Sequence, residues 1–234
     1  MKRNLLISAM ALLAGSVIAA DASPKEAVSA AAKQLAQAAN YSWKTTVVVP
    51  EGSRFRPGPT DGKTEKDGFT VVTMSFGDNT TEMVLKGDKG TVKPADEDWQ
   101  SLSDLEDAGG RDRFLAMMAR NFKTPAAQAQ ELVSGAKDLK EADGVCSGDL
   151  TEAGAKSMLR FGPRRGNGPE ISNAKGSVKF WVKDGTLSKY EFRVRGTVNF
   201  NDNERDIDRT TTVEIKDVGQ TKVNVPDAAK QKLS

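Results

Sequence analysis

Histidine is absent from all 234 residues, and cysteine occurs once, at Cys146. Without histidine the chain has no Ser-His-Asp or Cys-His catalysis, no imidazole metal ligand, and no side chain whose ordinary pKa lies near neutrality. A single cysteine excludes an intrachain disulfide and a cysteine-based zinc site. Cys146 reads as a small, semi-buried residue, the other reading being a free thiol that forms dimers. Aromatic residues are sparse, at 6% of the chain. Neither sign of charge dominates: 34 Lys and Arg face 32 Asp and Glu, a formal net charge of +2. Nucleic acid normally needs a basic field, so it is not an expected partner.

The long apolar run is at the N-terminus. Lys2 and Arg3 precede an apolar stretch from Leu5 to Ile18, broken by Ser8, Gly15 and Ser16, and then Ala19-Ala20-Asp21-Ala22. This is the layout of a secretory signal peptide, with an apolar region too short for a spanning helix. Residues 1–22 are therefore expected to be removed, with cleavage near 19–22, leaving 23–234 as one domain in the periplasm or outside the cell. The other reading is an N-terminal membrane anchor. Leu12-Leu13-Ala14-Gly15 resembles the start of a bacterial lipobox, but Ser16 stands where the lipid-bearing cysteine would be. The mature chain is thus expected to be soluble, without an integral membrane segment. Loss of Lys2, Arg3 and Asp21 lowers the net charge by one.

The mature chain opens with a helix over about 24–39. Ser23-Pro24-Lys25-Glu26 spells a capping box with proline at the first helical position, and Val28, Ala31, Ala32, Leu35 and Ala39 form its stripe. Tyr41, Trp43, Thr45 and Val47 alternate as one face of a strand. Residues 50–68 read as a loop, followed by strands near 69–76, 81–86 and 91–93. From 98 to 142 the period turns helical. Trp99, Leu102 and Leu105 share a face, as do Phe114, Leu115, Met118 and Phe122. Thr124-Pro125 caps a helix with Leu132, Val133 and Ala136. A short strand is expected at 144–150. Asp149-Leu150-Thr151-Glu152 reads as a capping box for a helix to about Phe161, and 162–176 as a loop.

The C-terminal third is the most strongly patterned. Tyr190, Phe192, Val194, Gly196, Val198 and Phe200 alternate with Glu191, Arg193, Arg195, Thr197 and Asn199. A strand with one dry and one wet face predicts an antiparallel sheet covered on one side only. Val178, Phe180 and Val182 supply the preceding strand. A two-residue Asp184-Gly185 turn would set Phe180 opposite Lys189. A three-residue loop, Lys183-Asp184-Gly185, sets Val178 opposite Tyr190 and matches the dry faces, so it is the expected connection. Thr211, Val213 and Ile215 continue the dry face, and Val223 and Val225 a last strand.

Motifs that suggest chemistry fail on inspection. Gly58-Pro59-Thr60-Asp61-Gly62-Lys63-Thr64 has three residues between its glycines where a phosphate-binding loop needs four, and its prolines lack N–H groups. It reads as a surface loop. Gly162-Pro163-Arg164-Arg165-Gly166-Asn167-Gly168-Pro169 is a basic loop able to meet an anionic headgroup, but reads first as solvated. Asp202, Glu204, Asp206 and Asp208 have Ile207 and Val213 where an EF-type calcium loop needs Gly and Glu. They read as a charged hairpin tip. Asp96-Glu97-Asp98 reads as an acidic helix N-terminus. No nucleophile elbow, metal site or cofactor motif is found, and no catalytic residue is assigned.

The order of elements resembles the periplasmic lipoprotein carrier LolA and its LppX/LprG-type relatives. The resemblance is carried by the helix-then-strand opening from Ser23 to Val49 and by Trp181-Val182-Lys183-Asp184-Gly185 before a strand near Leu187. It is also carried by Thr211-x-Val213-x-Ile215 through Asp217-Val218-Gly219 to Val223-x-Val225-Pro226. It implies an α+β fold: a strongly curved antiparallel β-sheet, an incomplete barrel, with helices covering the concave face. No arginine here is assigned the part of the one that latches the LolA helices to their sheet. The inner set would be Tyr41, Trp43, Val47, Val178, Phe180, Val182, Tyr190, Phe192, Val194, Val198, Phe200, Val213 and Ile215. The leading expectation is a non-enzymatic envelope protein that binds a lipid acyl chain or a lipidated protein between sheet and helices. The alternative is an envelope interaction or structural protein with a filled core, and a hydrolase is the third reading.

Overall fold

A computed structural model describes residues 22–53, 56–160, 169–200 and 203–233. Residues 1–21 of the expected signal sequence and the segment with Arg164 and Arg165, expected as a loop, lie outside the described residues, as does Asp202.

The chain opens with helix α1 (Pro24–Gln37), whose capping box is complete: the Glu26 N–H donates to Ser23 Oγ, and the Ser23 N–H donates to Glu26 Oε2. Then come strands β1 (Asn40–Val48), β2 (Thr60–Glu65), β3 (Thr70–Phe76), β4 (Asn79–Lys86), β5 (Lys89–Lys93) and β6 (Gln100–Ser101). Helices α2 (Leu102–Ala108), α3 (Gly110–Arg120) and α4 (Pro125–Gly135) follow, then β7 (Lys140–Ala142), β8 (Val145–Asp149) and α5 (Glu152–Leu159). Three long strands, β9 (Glu170–Lys183), β10 (Thr186–Phe200) and β11 (Asn203–Lys216), precede a short C-terminal helix, α6 (Asp227–Lys232).

Among the described residues eleven strands form one antiparallel sheet in the order β6-β5-β4-β3-β2-β1-β11-β10-β9-β8-β7. The sheet is curved and not closed into a barrel, and helices cover its concave face. One apolar core joins that face to α1 through Val28, Ala31, Ala32 and Leu35, to α4 through Ala129, Leu132 and Val133, and to α5 through Ala155 and Leu159. Alanines fill much of this interface, which lets the helices lie close to the strands.

The β9–β10 hairpin differs from expectation. Its turn is the two-residue Asp184-Gly185, with Thr186 opposite Lys183. Both turn residues have positive φ, 50° and 73°, the requirement of a type I′ turn. The dry faces still match because Ser188 is an extra residue in β10: Leu187 pairs with Val182, whereas Lys189 pairs with Trp181. Ser188 Oγ donates to the Trp181 carbonyl at 3.2 Å. Past this bulge, Tyr190 faces Phe180 and Phe192 faces Val178. The bulge also turns Leu187, an odd-numbered residue, fully inward.

Other expectations are corrected. Residues 60–65, read as loop, are β2, because Gly62 lies flat under the Trp43 ring. A Cβ there would sit 2.0 Å from Trp43 Cζ2. The stretch read as loop up to 176 is strand from Glu170 onward. Glu204, Asp206 and Asp208 lie within β11 rather than at a hairpin tip. Asp96 occupies a turn at φ 62°, and the helix after it starts only at Leu102, capped by Ser101. The α5 cap is Thr151, whose hydroxyl accepts from the Gly154 N–H, while Asp149 ends β8. Phe114 points outward from α3 at 47% exposure. Val223 and Val225 form no strand. They cross to α6, which covers the outer face of the sheet: Ala229 packs with Val84 and Trp99, beside Phe69, Val71 and Val225. The sheet is therefore covered on both sides at this end, because β4 carries an apolar residue, Val84, on its outer face.

Gly62→Ala is expected to destabilise the chain by about 1–3 kcal/mol, since the Trp43 ring must move and its neighbours are packed. A lowered urea midpoint with an unchanged slope checks this.

Candidate functional site on the concave face

Strand register arranges the concave face in rows. One runs Phe180, Tyr190, Val213, Thr45, Thr60, Met74 from β9 to β3. A second runs Val178, Phe192, Thr211, Val47, with Phe76 on the same face of β3 two residues past Met74. On the other side of the first row lie Ile215, Trp43, Gly62, Val72, Met83 and Val92. The register thus brings eleven members of the expected inner set onto one surface or its edges: Tyr41, Trp43, Val47, Val178, Phe180, Val182, Tyr190, Phe192, Val194, Val213 and Ile215. Val198, opposite Arg205, continues it toward the far end of the hairpin. The backbone of Phe200 pairs with Asn203, and its side chain lies outside what the structure describes.

The helices cover this surface unevenly. At the β9–β10 end Val178, Phe180, Tyr190 and Val194 are fully buried and Phe192 is only 3% exposed. Phe180 and Tyr190 rings stand 6.3 Å apart, and Tyr41, Trp43, Val213 and Ile215 are also buried. Val47, Val182 and Val198 are only half-buried. So are Phe76, Met118 and Phe122, which the inner set omits. Phe122, just past α3, stacks on Trp43 with ring centroids 6.2 Å apart. The helix stripe ending in Phe122 pointed to this contact, but only the fold shows that it meets Trp43.

Polar ties fasten the cover. Tyr190 Oη donates to Gln128 Oε1 at 2.8 Å, and the Ala126 N–H donates to Tyr41 Oη at 3.5 Å, both on α4. Lys25 Nζ on α1 donates to the Ala136 carbonyl at the end of α4. Ser29 and Gln130 join the same two helices. Arg209 is the tie that the sequence reading missed. It lies directly opposite Val194 on the dry side of β11, and its Nη2 donates to the Met158 carbonyl of α5 at 2.7 Å. Burial pulls its pKa below the usual guanidinium value. Stepping the Thr211, Val213, Ile215 alternation back by two residues would have found an arginine on an apolar face.

Burial raises the pKa of both tyrosines, that of Tyr190 well above 10 with the nearby Tyr41 hydroxyl adding to it. For Tyr41 the Thr124 and Ala126 contacts work the other way. Among the described residues no group of three or more Cys, Asp or Glu is placed to hold a metal, and no helix is long and apolar enough to cross a membrane. Cys146 is buried in β8 opposite Phe180, and burial, then the charge of Glu141, pushes its thiol pKa up.

No family model matches the chain, and no curated protein matches it. Solved structures do. The lipoprotein LppX of Mycobacterium tuberculosis is 12% identical, with 87% of this chain and 98% of that one covered and a TM-score of 0.45. LprF from Mycobacterium bovis is 12% identical over 88% of this chain and 97% of that one, with a TM-score of 0.47. A DUF1329 family protein from Desulfovibrio piger is 12% identical over 91% and 100%, with a TM-score of 0.34. The likeness to these three is one of fold.

Two outcomes are expected. Between the unfolded tyrosine pKa near 10 and the raised folded value, the unfolded chain gives up a proton that the folded chain keeps. Stability should therefore fall as pH rises past about 10. Urea titrations from pH 8 to 11 should show a steeper loss for the wild type than for Tyr190→Phe. Arg209→Ala should free α5 from β11, read as faster amide hydrogen exchange in Glu152–Leu159 with exchange in β10 little changed.

Proposed function

We propose that this chain is a non-enzymatic protein of the bacterial envelope that holds an apolar ligand, a lipid acyl chain or the acyl part of a lipidated protein, between the curved sheet and its helices. The observation that carries this reading is the uneven cover of the concave face. Val47 and Phe76 from the sheet, and Met118 and Phe122 from α3 and its end, remain half-buried around rows of apolar residues in which Thr45, Thr60 and Thr211 are uncharged. A site for an acyl chain needs apolar walls and little polar chemistry, and this surface offers both. Of the inner set, Val47, Val182 and Val198 would border the ligand and Trp43 would floor it. Val178, Phe180, Tyr190, Phe192 and Val194 would back the site as packed wall. The signal sequence supports delivery to the envelope, and Ser16 in place of a lipobox cysteine supports a mature chain without its own lipid.

The second reading is an interaction protein with a filled core. The complete burial of Phe180 and Tyr190 favours it.

Native mass spectrometry of the chain purified from its own envelope should show bound lipid. In vitro, Val47→Arg should weaken uptake of a fluorescent fatty acid by about tenfold or more, because a charge cannot be left against an acyl chain, with little change in thermal stability at this half-buried site. Phe192→Ala should instead cost about 3–5 kcal/mol of stability, as removal of a packed phenylalanine does. No bound lipid and no uptake by the wild type would leave the filled-core reading.

A further inference from the structure

At the margin of the sheet, β8 stops at Asp149 and the chain turns through Thr151 into α5, while β9 runs on. A groove of about 540 Å³ opens there. We propose that this groove binds a phosphoryl anion. Its walls carry four cations, Lys137, Lys175, Arg193 and Arg195, against two carboxylates, Asp149 and Glu152.

The strand register makes the excess positive charge unusual. Lys175 lies directly opposite Arg195 across β9 and β10. Like charges in directly opposed positions destabilise a sheet. The carboxylate placed to relieve them is engaged elsewhere. Asp208 is the partner of Arg195 across β11, yet its two oxygens accept from Arg193 Nε and Nη2 at 2.9 and 2.6 Å. That hydrogen bonding holds the Asp208 carboxyl below its ordinary pKa, with the charge of Arg195 adding to the effect. Glu152 is paired with Lys156 at 2.7 Å. Asp149 lies across from Ser177, which in turn lies across from Arg193.

An anion seated between Lys175 and Arg195 would supply the charge that the register leaves out. A guanidinium fork fits two phosphoryl oxygens, and the ammonium adds a compact second charge. The Ser177 hydroxyl can donate a further hydrogen bond. A phosphoryl group, with up to two charges and three acceptor oxygens, fits four donors better than a carboxylate does. This inference is independent of the acyl-chain reading, since the cationic side chains stand on the outer face of the sheet.

The source of the anion is either free phosphate or the headgroup of an anionic lipid, and two measurements on the mature chain separate them. The first is thermal unfolding in phosphate against chloride at matched ionic strength. The second is co-sedimentation with phosphatidylglycerol or phosphatidylcholine vesicles. Phosphate is expected to raise the unfolding temperature of the wild type and of Lys63→Gln, a change on the distant β2. Lys175→Gln and Arg195→Gln should each bind phosphate about tenfold more weakly, the loss of one charge-assisted contact. In chloride these two variants should be as stable as the wild type or more so, because the repulsion is relieved. Binding to phosphatidylglycerol vesicles alone, competed by phosphate and lost in both variants, assigns the site to a headgroup. A phosphate shift without vesicle binding assigns it to the free anion. An equal phosphate shift in wild type and variants, or neither a phosphate shift nor variant-sensitive vesicle binding, overturns the proposal.

Discussion

Ser188 is a single inserted residue, and it sets the side on which the long C-terminal strands bury their apolar residues. A two-residue turn alone would pair Phe180 with Lys189 and Val178 with Glu191, setting the central apolar side chains of β9 across from polar ones of β10. Because side chains alternate with a period of two, a shift of one residue exchanges the faces completely. The bulge absorbs that shift next to the turn, and from there Tyr190, Val213 and Thr45 fall into line across β10, β11 and β1. A second irregularity, between Arg195 and Thr197, places two unpaired residues of β9, Asn173 and Ala174, against one of β10. Beyond it the odd-numbered Ile171 is buried opposite Val198. The continuous apolar surface on which the helices rest depends on these two insertions.

That surface is joined to a cover built largely of alanine, which buries little area per residue. Such a cover needs position as well as area, and polar ties supply it. Tyr190 reaches Gln128, Lys25 reaches the end of α4, and Arg209 reaches the last turn of α5. The bond from Tyr190 starts at a fully buried side chain, and that from Arg209 at a cation on the dry side of β11. The burial that raises the tyrosine pKa values is the same burial that makes these bonds costly to break.

Much of this was legible in the sequence where one residue type decided the outcome. The Ser23 capping box, the Thr124-Pro125 start, and the alternation in 190–200 and 211–215 depend on local chemistry, and they predicted α1, α4 and the dry face. The hairpin turn was misjudged because loop length and a bulge restore the same parity, and alternation cannot tell them apart. β2 was read as loop because its glycine and charged residues are explained only by the Trp43 ring that lies across it. The outer cover by α6 was missed because Val84, between Met83 and Leu85, hides a second apolar face inside a continuous run. Arg209 was missed because a cation on a dry face is interpretable only when the helix carbonyl above it is known.

The strand order also has a kinetic consequence. From β1 to β6, and from β7 to β11, every strand pairs with its neighbour in sequence, so each half is a meander of local contacts. Among the described strands the two halves pair with each other through β1 and β11, where Ser42 and Lys216 meet from 174 residues apart. Loop closure of that length is slow compared with hairpin formation, so the seam is expected to form after the two meanders. Until Lys216 has emerged from the ribosome, β1 is an open edge. A chain made from its N-terminus therefore holds its first half as an unclosed sheet until its last long strand is available.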